Sequence, residues 1–180
     1  MHAPPLAGWL LVALSAAVGA YCLLRIRTAP AGQRRAARGD ALMGLGMAAM
    51  AVPASALDTG RWGGYALATV FGAAAVRAVL PLRHAPGHLH HLIGALAMAY
   101  MGLAMAAAGG HAGHGPPAGL PLVTGALLVY YLAYVLYGGS RLVVAGGGTV
   151  GGAGWTQRPE LVAGCRISMG IGMFAMLLAM

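Results

Sequence analysis

No lysine occurs in the chain, acidic residues number only three, and there are just two cysteines. Charged residues make up 8% of the sequence and hydrophobic ones 59%, whereas a soluble domain carries roughly 25% charge to stay in solution. That shortage excludes a soluble globular protein, so most side chains must meet lipid or protein. Cys22 and Cys165 both lie inside apolar stretches, which excludes a disulfide framework. No serine stands with a positioned base and no spaced carboxylate pair occurs, so nothing points to an enzyme. The apolar runs also lack the alternation of barrel strands, leaving helices as the way to satisfy a backbone in hydrocarbon.

Within 180 residues, six apolar segments can be drawn: 6–24, 41–57, 63–80, 92–108, 120–137 and 161–180. Each approaches the roughly 20 residues that a crossing requires. The expectation is an all-α, polytopic membrane helix bundle forming a single domain over 1–180. No basic residue precedes the first segment, so it is expected to remain as a helix and not to be cleaved as a signal peptide. All eleven basic residues are arginines and the net charge is +8. They cluster at segment ends, without interleaved exposed aromatics, which argues against nucleic-acid binding and for orientation signals. Arg25, Arg27, Arg34, Arg35 and Arg38 follow the first segment, Arg77 and Arg83 flank the third connection, and Arg141 and Arg158 lie in the fifth. The second connection holds only Arg61 and the fourth none. Such alternation predicts both termini outside the cytoplasm. Trp9, Trp62 and Tyr65 then fall near the outer face, and Tyr134 and Tyr137 near the inner one. The glycine-rich run 146–152 lacks the lysine of a phosphate loop and reads as a linker.

Apart from Met1, every methionine lies in the second, fourth or sixth segment. A phrase recurs there: Met43-Gly44-Leu45-Gly46-Met47, Met101-Gly102-Leu103-Ala104-Met105 and Met169-Gly170-Ile171-Gly172-Met173. At about 100° per residue, Met43, Met47 and Met50 share one face, as do Met98, Met101 and Met105, and likewise Met169, Met173, Met176 and Met180. His91 falls on the fourth segment's stripe and Cys165 close to the sixth's, while Asp40 sits at the edge of the second's. His111 and His114 follow the fourth segment. Thioether sulfur suits Cu(I), and imidazole or thiolate can receive the ion at either end. A ladder of weak ligands one turn apart, roughly 5.4 Å, would let an ion step without being trapped. Packing explains the same pattern, because methionine fills gaps and small residues let helices approach closely.

His84, His88, His90 and His91 crowd the turn before the fourth segment, where solvated interfacial histidines are the common outcome. The remaining histidines sit in loops, so a haem site with facing ligands is not expected. Tyr130, Tyr134 and Tyr137 share a face of the fifth segment and suit an interfacial belt. Asp40 and Glu160 are expected at helix N-termini, Asp40 as a cap. No buried pair of opposite charges is expected, which gives transport of an organic solute little support.

The phrases around Met43 to Met50, His90-His91 to Met105, and Cys165-Arg166 to Met176 resemble an actinobacterial family of small multi-pass membrane proteins catalogued as a domain of unknown function. The resemblance covers roughly the second to sixth segments. It implies a plasma-membrane location and no assigned activity. In that family a histidine often precedes the second-segment methionines, where this chain has Asp40. The sequence thus leaves two functional readings. One is a Cu(I)-binding protein or permease with Met43, Met47, Met50, Met98, Met101, Met105, Met169, Met173 and Met176 as thioether ligands, His111 and His114 capturing metal outside, and His91 and Cys165 receiving it inside. The other is a structural or assembly subunit whose methionine faces pack the bundle or dock another membrane protein or a second copy.

Overall fold

The computed structural model describes residues 5–53, 56, 60–79, 88–107, 119–145 and 159–180. Among them are six α-helices and no strand. They are α1 (Pro5–Thr28), α2 (Ala31–Ala51), α3 (Gly60–Val79), α4 (His88–Ala107), α5 (Pro121–Ala145) and α6 (Pro159–Leu178). The all-helical expectation holds. Four stretches, Gly8–Thr28, Leu89–Ala107, Pro121–Leu142 and Glu160–Leu178, are long and apolar enough to cross a membrane. Of the sequence features named above, His84, His111, His114, Arg83, Arg158 and the 146–152 run lie outside the described residues.

The largest departure from expectation is α2, which begins at Ala31 and not at 41. Its cause is Pro30. Proline cannot continue α1, but its carbonyl accepts from Gln33 N at 2.9 Å and Arg34 N at 3.2 Å, starting a new helix at once. The run Arg34, Arg35 and Arg38 is therefore helical, with exposed side chains, instead of a loop. Arg34 Nε also donates to the Ala29 carbonyl at 3.0 Å, tying down the corner.

By contacts the chain falls into two compact units: 1–51 with 125–179, and 52–124 with residue 180. In the first, α1 and α2 form an antiparallel hairpin so close that a Cβ on Gly44 would sit 2.9 Å from the Cα and N of Gly19. In the second, α3 and α4 close in the same manner, with a Cβ on Gly102 falling 2.9 Å from Ala68 N and Gly64 O. Phe71, Ala68 and Ala75 are buried on α3. Gly60 starts that helix with φ of 55°, a left-handed value where glycine alone is unstrained. The Tyr100 hydroxyl pairs with Thr124 Oγ1 at 2.8 Å in this unit. Back in the first unit, Gly170 of α6 approaches α5, its Cβ position 3.1 Å from Val135 Cγ2 and 3.2 Å from Tyr134 Cδ1.

One rule covers all three phrases. The glycine after the first methionine (Gly44, Gly102, Gly170) faces the preceding helix, and at Gly44 and Gly102 a side chain would meet that helix's backbone and hold the pair apart. The first two repeats of the phrase each close a helical hairpin, whereas at the third Gly170 meets only the Val135 and Tyr134 side chains of α5.

Candidate functional site

The end of the first unit that carries the arginines also carries its chemistry. Asp40 lies well past the first turn of α2 and is 2% exposed. It does not cap the helix, correcting the sequence expectation. Pro30 has displaced the helix start, and the phase Asp40, Met43, Met47 puts the carboxylate on the buried face. Arg166 of α6 donates to Asp40 Oδ2 from both Nε and Nη2 at 3.4 Å. Arg25 of α1 brings Nη1 to 4.0 Å from the same oxygen, and its Nη2 donates to Gln33 Oε1 at 3.1 Å. Arg25 is itself buried, whereas the Arg166 side chain keeps 33% of its surface exposed. Opposite charges therefore do meet inside the protein, contrary to expectation. With guanidinium permanently protonated, the two arginines and one carboxylate that meet here among the described residues leave one surplus positive charge.

Sulfur lies beside this cluster. Cys22, buried on α1 one turn before Arg25, is within electrostatic reach of Asp40, Cys165, Arg25 and Arg166. Cys165, next to Arg166 on α6, is half-buried, and both thiols are free. Tyr21 and Tyr134 reach the same group of charges from α1 and α5. Further along, α2 buries Met43 and Met47 while α6 buries Met169 and Met173. The Met47 sulfur stands 3.5 Å from the place a Cβ on Gly172 would occupy, so that glycine seats the thioether of the facing helix. Met50 and Met176 are half-buried.

The remaining sequence candidates belong elsewhere. Met98 and Met101 are buried on α4, with Met105 half-buried, in the second unit. His91, half-buried on the same helix, has its ring 6.0 Å from that of His90. Among the described residues, no three of His, Cys, Asp and Glu gather as a metal-ligating group. Glu160 occupies the first turn of α6, as expected. Tyr130 and Tyr134 stack at 6.4 Å, while exposed Tyr137 accepts from Arg141 Nη2 at 2.8 Å beneath its guanidinium, an interfacial arrangement. Trp62 and Tyr65, also exposed, meet edge to face.

Residues 32–180 match the family described as a domain of unknown function (DUF5134). The chain belongs to that family. No curated protein and no solved structure matches it. With four helices apolar enough to span a bilayer, this DUF5134 chain is an integral membrane protein. The family match takes in Asp40, Cys165 and Arg166 but begins beyond α1, so Cys22 and Arg25 stand outside it.

Sequence reasoning named Cys165 and the methionines as candidates and did not bring Cys22, Arg25, Asp40 and Arg166 together as one cluster. Part of the signal was legible: Cys22 and Arg25 are spaced i, i+3, and Asp40 shares its phase with Met43 and Met47. The partnership of Asp40 with Arg166, 126 residues away, has no local signature.

Proposed function

We propose that this is a multi-pass, non-enzymatic plasma-membrane protein that binds Cu(I) within its first unit. The observation that carries the reading is that Cys22 on α1 and Cys165 on α6 lie within electrostatic reach of each other in a unit whose α2 and α6 bury Met43, Met47, Met169 and Met173. These are the soft donors that select Cu(I) over harder cations. One thiolate with thioether partners gives a Cu(I) site of zero net charge, which suits an apolar interior. The methionines continue away from the thiols at one-turn intervals and supply successive weak sites. Six crossings with both termini outside the cytoplasm would place the thiols at the cytoplasmic end, as a receiving site.

The test is elemental analysis by mass spectrometry of detergent-purified protein after anaerobic incubation with Cu(I) and removal of excess. About one copper per chain or more is expected in the wild type, and loss in both the Cys22→Ser/Cys165→Ser and the Met47→Leu/Met173→Leu variants. Absence of copper from the wild type, or its undiminished retention in both variants, overturns the proposal.

A second reading, a structural or assembly subunit, is favoured by the repeated role of Gly44 and Gly102 in closing hairpins. That role accounts for much of the recurring phrase without a ligand. A copper-free protein purifying with a stoichiometric membrane partner, or as a homo-oligomer, is the outcome that reading expects.

A further inference from the structure

We propose that Arg25 and Arg166, converging on Asp40, form a binding site for a phosphate group, supplied by the headgroup of an anionic phospholipid. The first ground is charge. Among the described residues one carboxylate faces two guanidiniums, and a surplus positive charge at a partly buried position is costly unless an anion completes it. The second is geometry. Both Arg166 donors and the nearest Arg25 nitrogen address one oxygen, Asp40 Oδ2, at 3.4 to 4.0 Å. Neither guanidinium makes the short, parallel double contact that its fork is built for. A phosphate, with more than one unesterified oxygen, can engage both forks at once.

Access and surroundings point to a lipid as the source. Arg166 remains one-third exposed, while Leu23, Leu24 and Leu161 are exposed on the same two helices as the arginines. Arg25 and Arg27 occupy the last turn of α1, the level at which a membrane helix leaves hydrocarbon for headgroups. Exposed Arg34, Arg35 and Arg38 on α2 add positive charge at that end. A basic pocket between membrane helices at the headgroup level is the setting in which proteins recognise anionic lipids.

The experiment is native mass spectrometry of the full-length, copper-free protein in detergent, titrated with phosphatidylglycerol or phosphatidylcholine, with and without inorganic phosphate. The wild type is expected to bind phosphatidylglycerol about tenfold tighter than phosphatidylcholine, a difference of about 1.4 kcal/mol. Arg166→Gln should remove that preference, and Arg166→Lys should restore part of it. Arg141→Gln, whose guanidinium lies on Tyr137 outside the cluster, should leave it intact. Asp40→Asn removes the competing carboxylate and should tighten binding in the folded fraction, whereas a purely structural role for the cluster predicts weaker binding. Phosphate binding that depends on Arg166, with no lipid preference, would keep the site and assign it to a soluble anion. Equal binding of the two lipids with no Arg166-dependent phosphate binding overturns the proposal, as does Arg166→Gln behaving like Arg141→Gln. If Arg166→Gln does not fold, the comparison of Arg166→Lys with Asp40→Asn decides.

Discussion

Replacing single glycines with alanine should give a stability series ordered by the space at each position. At Gly64 the added methyl would lie 2.6 Å from Gly102 O and 2.7 Å from Ala106 N, both backbone atoms. To reach ordinary contact near 3.4 Å, α3 and α4 must separate by about 0.8 Å, and overpacking of this kind costs about 1–3 kcal/mol. Alanine returns about 0.5–1 kcal/mol through its better helix propensity. The net expectation is a loss of about 2 kcal/mol for Gly64→Ala. For Gly44→Ala and Gly102→Ala, where the nearest backbone atoms are 2.9 Å away, it is about 1 kcal/mol. At Gly170 the neighbours are the Val135 and Tyr134 side chains at 3.1 and 3.2 Å, which can yield, so alanine should be close to neutral. Gly72 and Gly139 have nothing within 4 Å and should gain about 0.5 kcal/mol. Denaturant or thermal unfolding of the detergent-solubilised variants, followed by circular dichroism, measures the series. Equal stability of Gly64→Ala and Gly72→Ala would refute the close approach of these helices.

Removing the buried carboxylate by Asp40→Ala should cost about 3–5 kcal/mol, because two guanidiniums lose their counter-charge. A double-mutant cycle with Arg25→Gln should show coupling above about 1 kcal/mol in the same unfolding assay, and zero coupling would refute the pairing. The Tyr131 hydroxyl is buried and has no hydrogen-bond partner among the described residues. Tyr131→Phe should therefore be neutral or stabilise by up to about 1 kcal/mol, and a clear destabilisation would show that the hydroxyl is satisfied.

Helix number and type were legible because hydropathy runs of membrane length have few alternatives. The start of α2 was not. A run of arginines reads as a connection when only apolarity is followed, although Pro30 marks where a helix can begin. Misplacing that start moved Asp40 from the interior to a helix end and hid the cluster. The methionine phases were legible from spacing alone, and eight of the named thioether positions proved buried or half-buried on the described helices alongside Met98. What spacing could not supply is what each face meets. The glycines of the phrase turned out to face the preceding helix, and only the folded hairpins distinguish that from contact with another methionine stripe.

The corner at Ala29 and Pro30 also bears on how the chain enters a bilayer. α2 is not among the helices apolar enough to span alone, and its interior carries Asp40. Presented to an insertion machinery by itself, it would bring an arginine-rich first half and an acidic residue with too little apolar length to span. The two-residue corner delivers Arg25 with Asp40 and Gly19 with Gly44, so α1 and α2 are suited to partition as one preassembled hairpin. Lengthening that corner would separate the two events and leave α2 at the membrane surface.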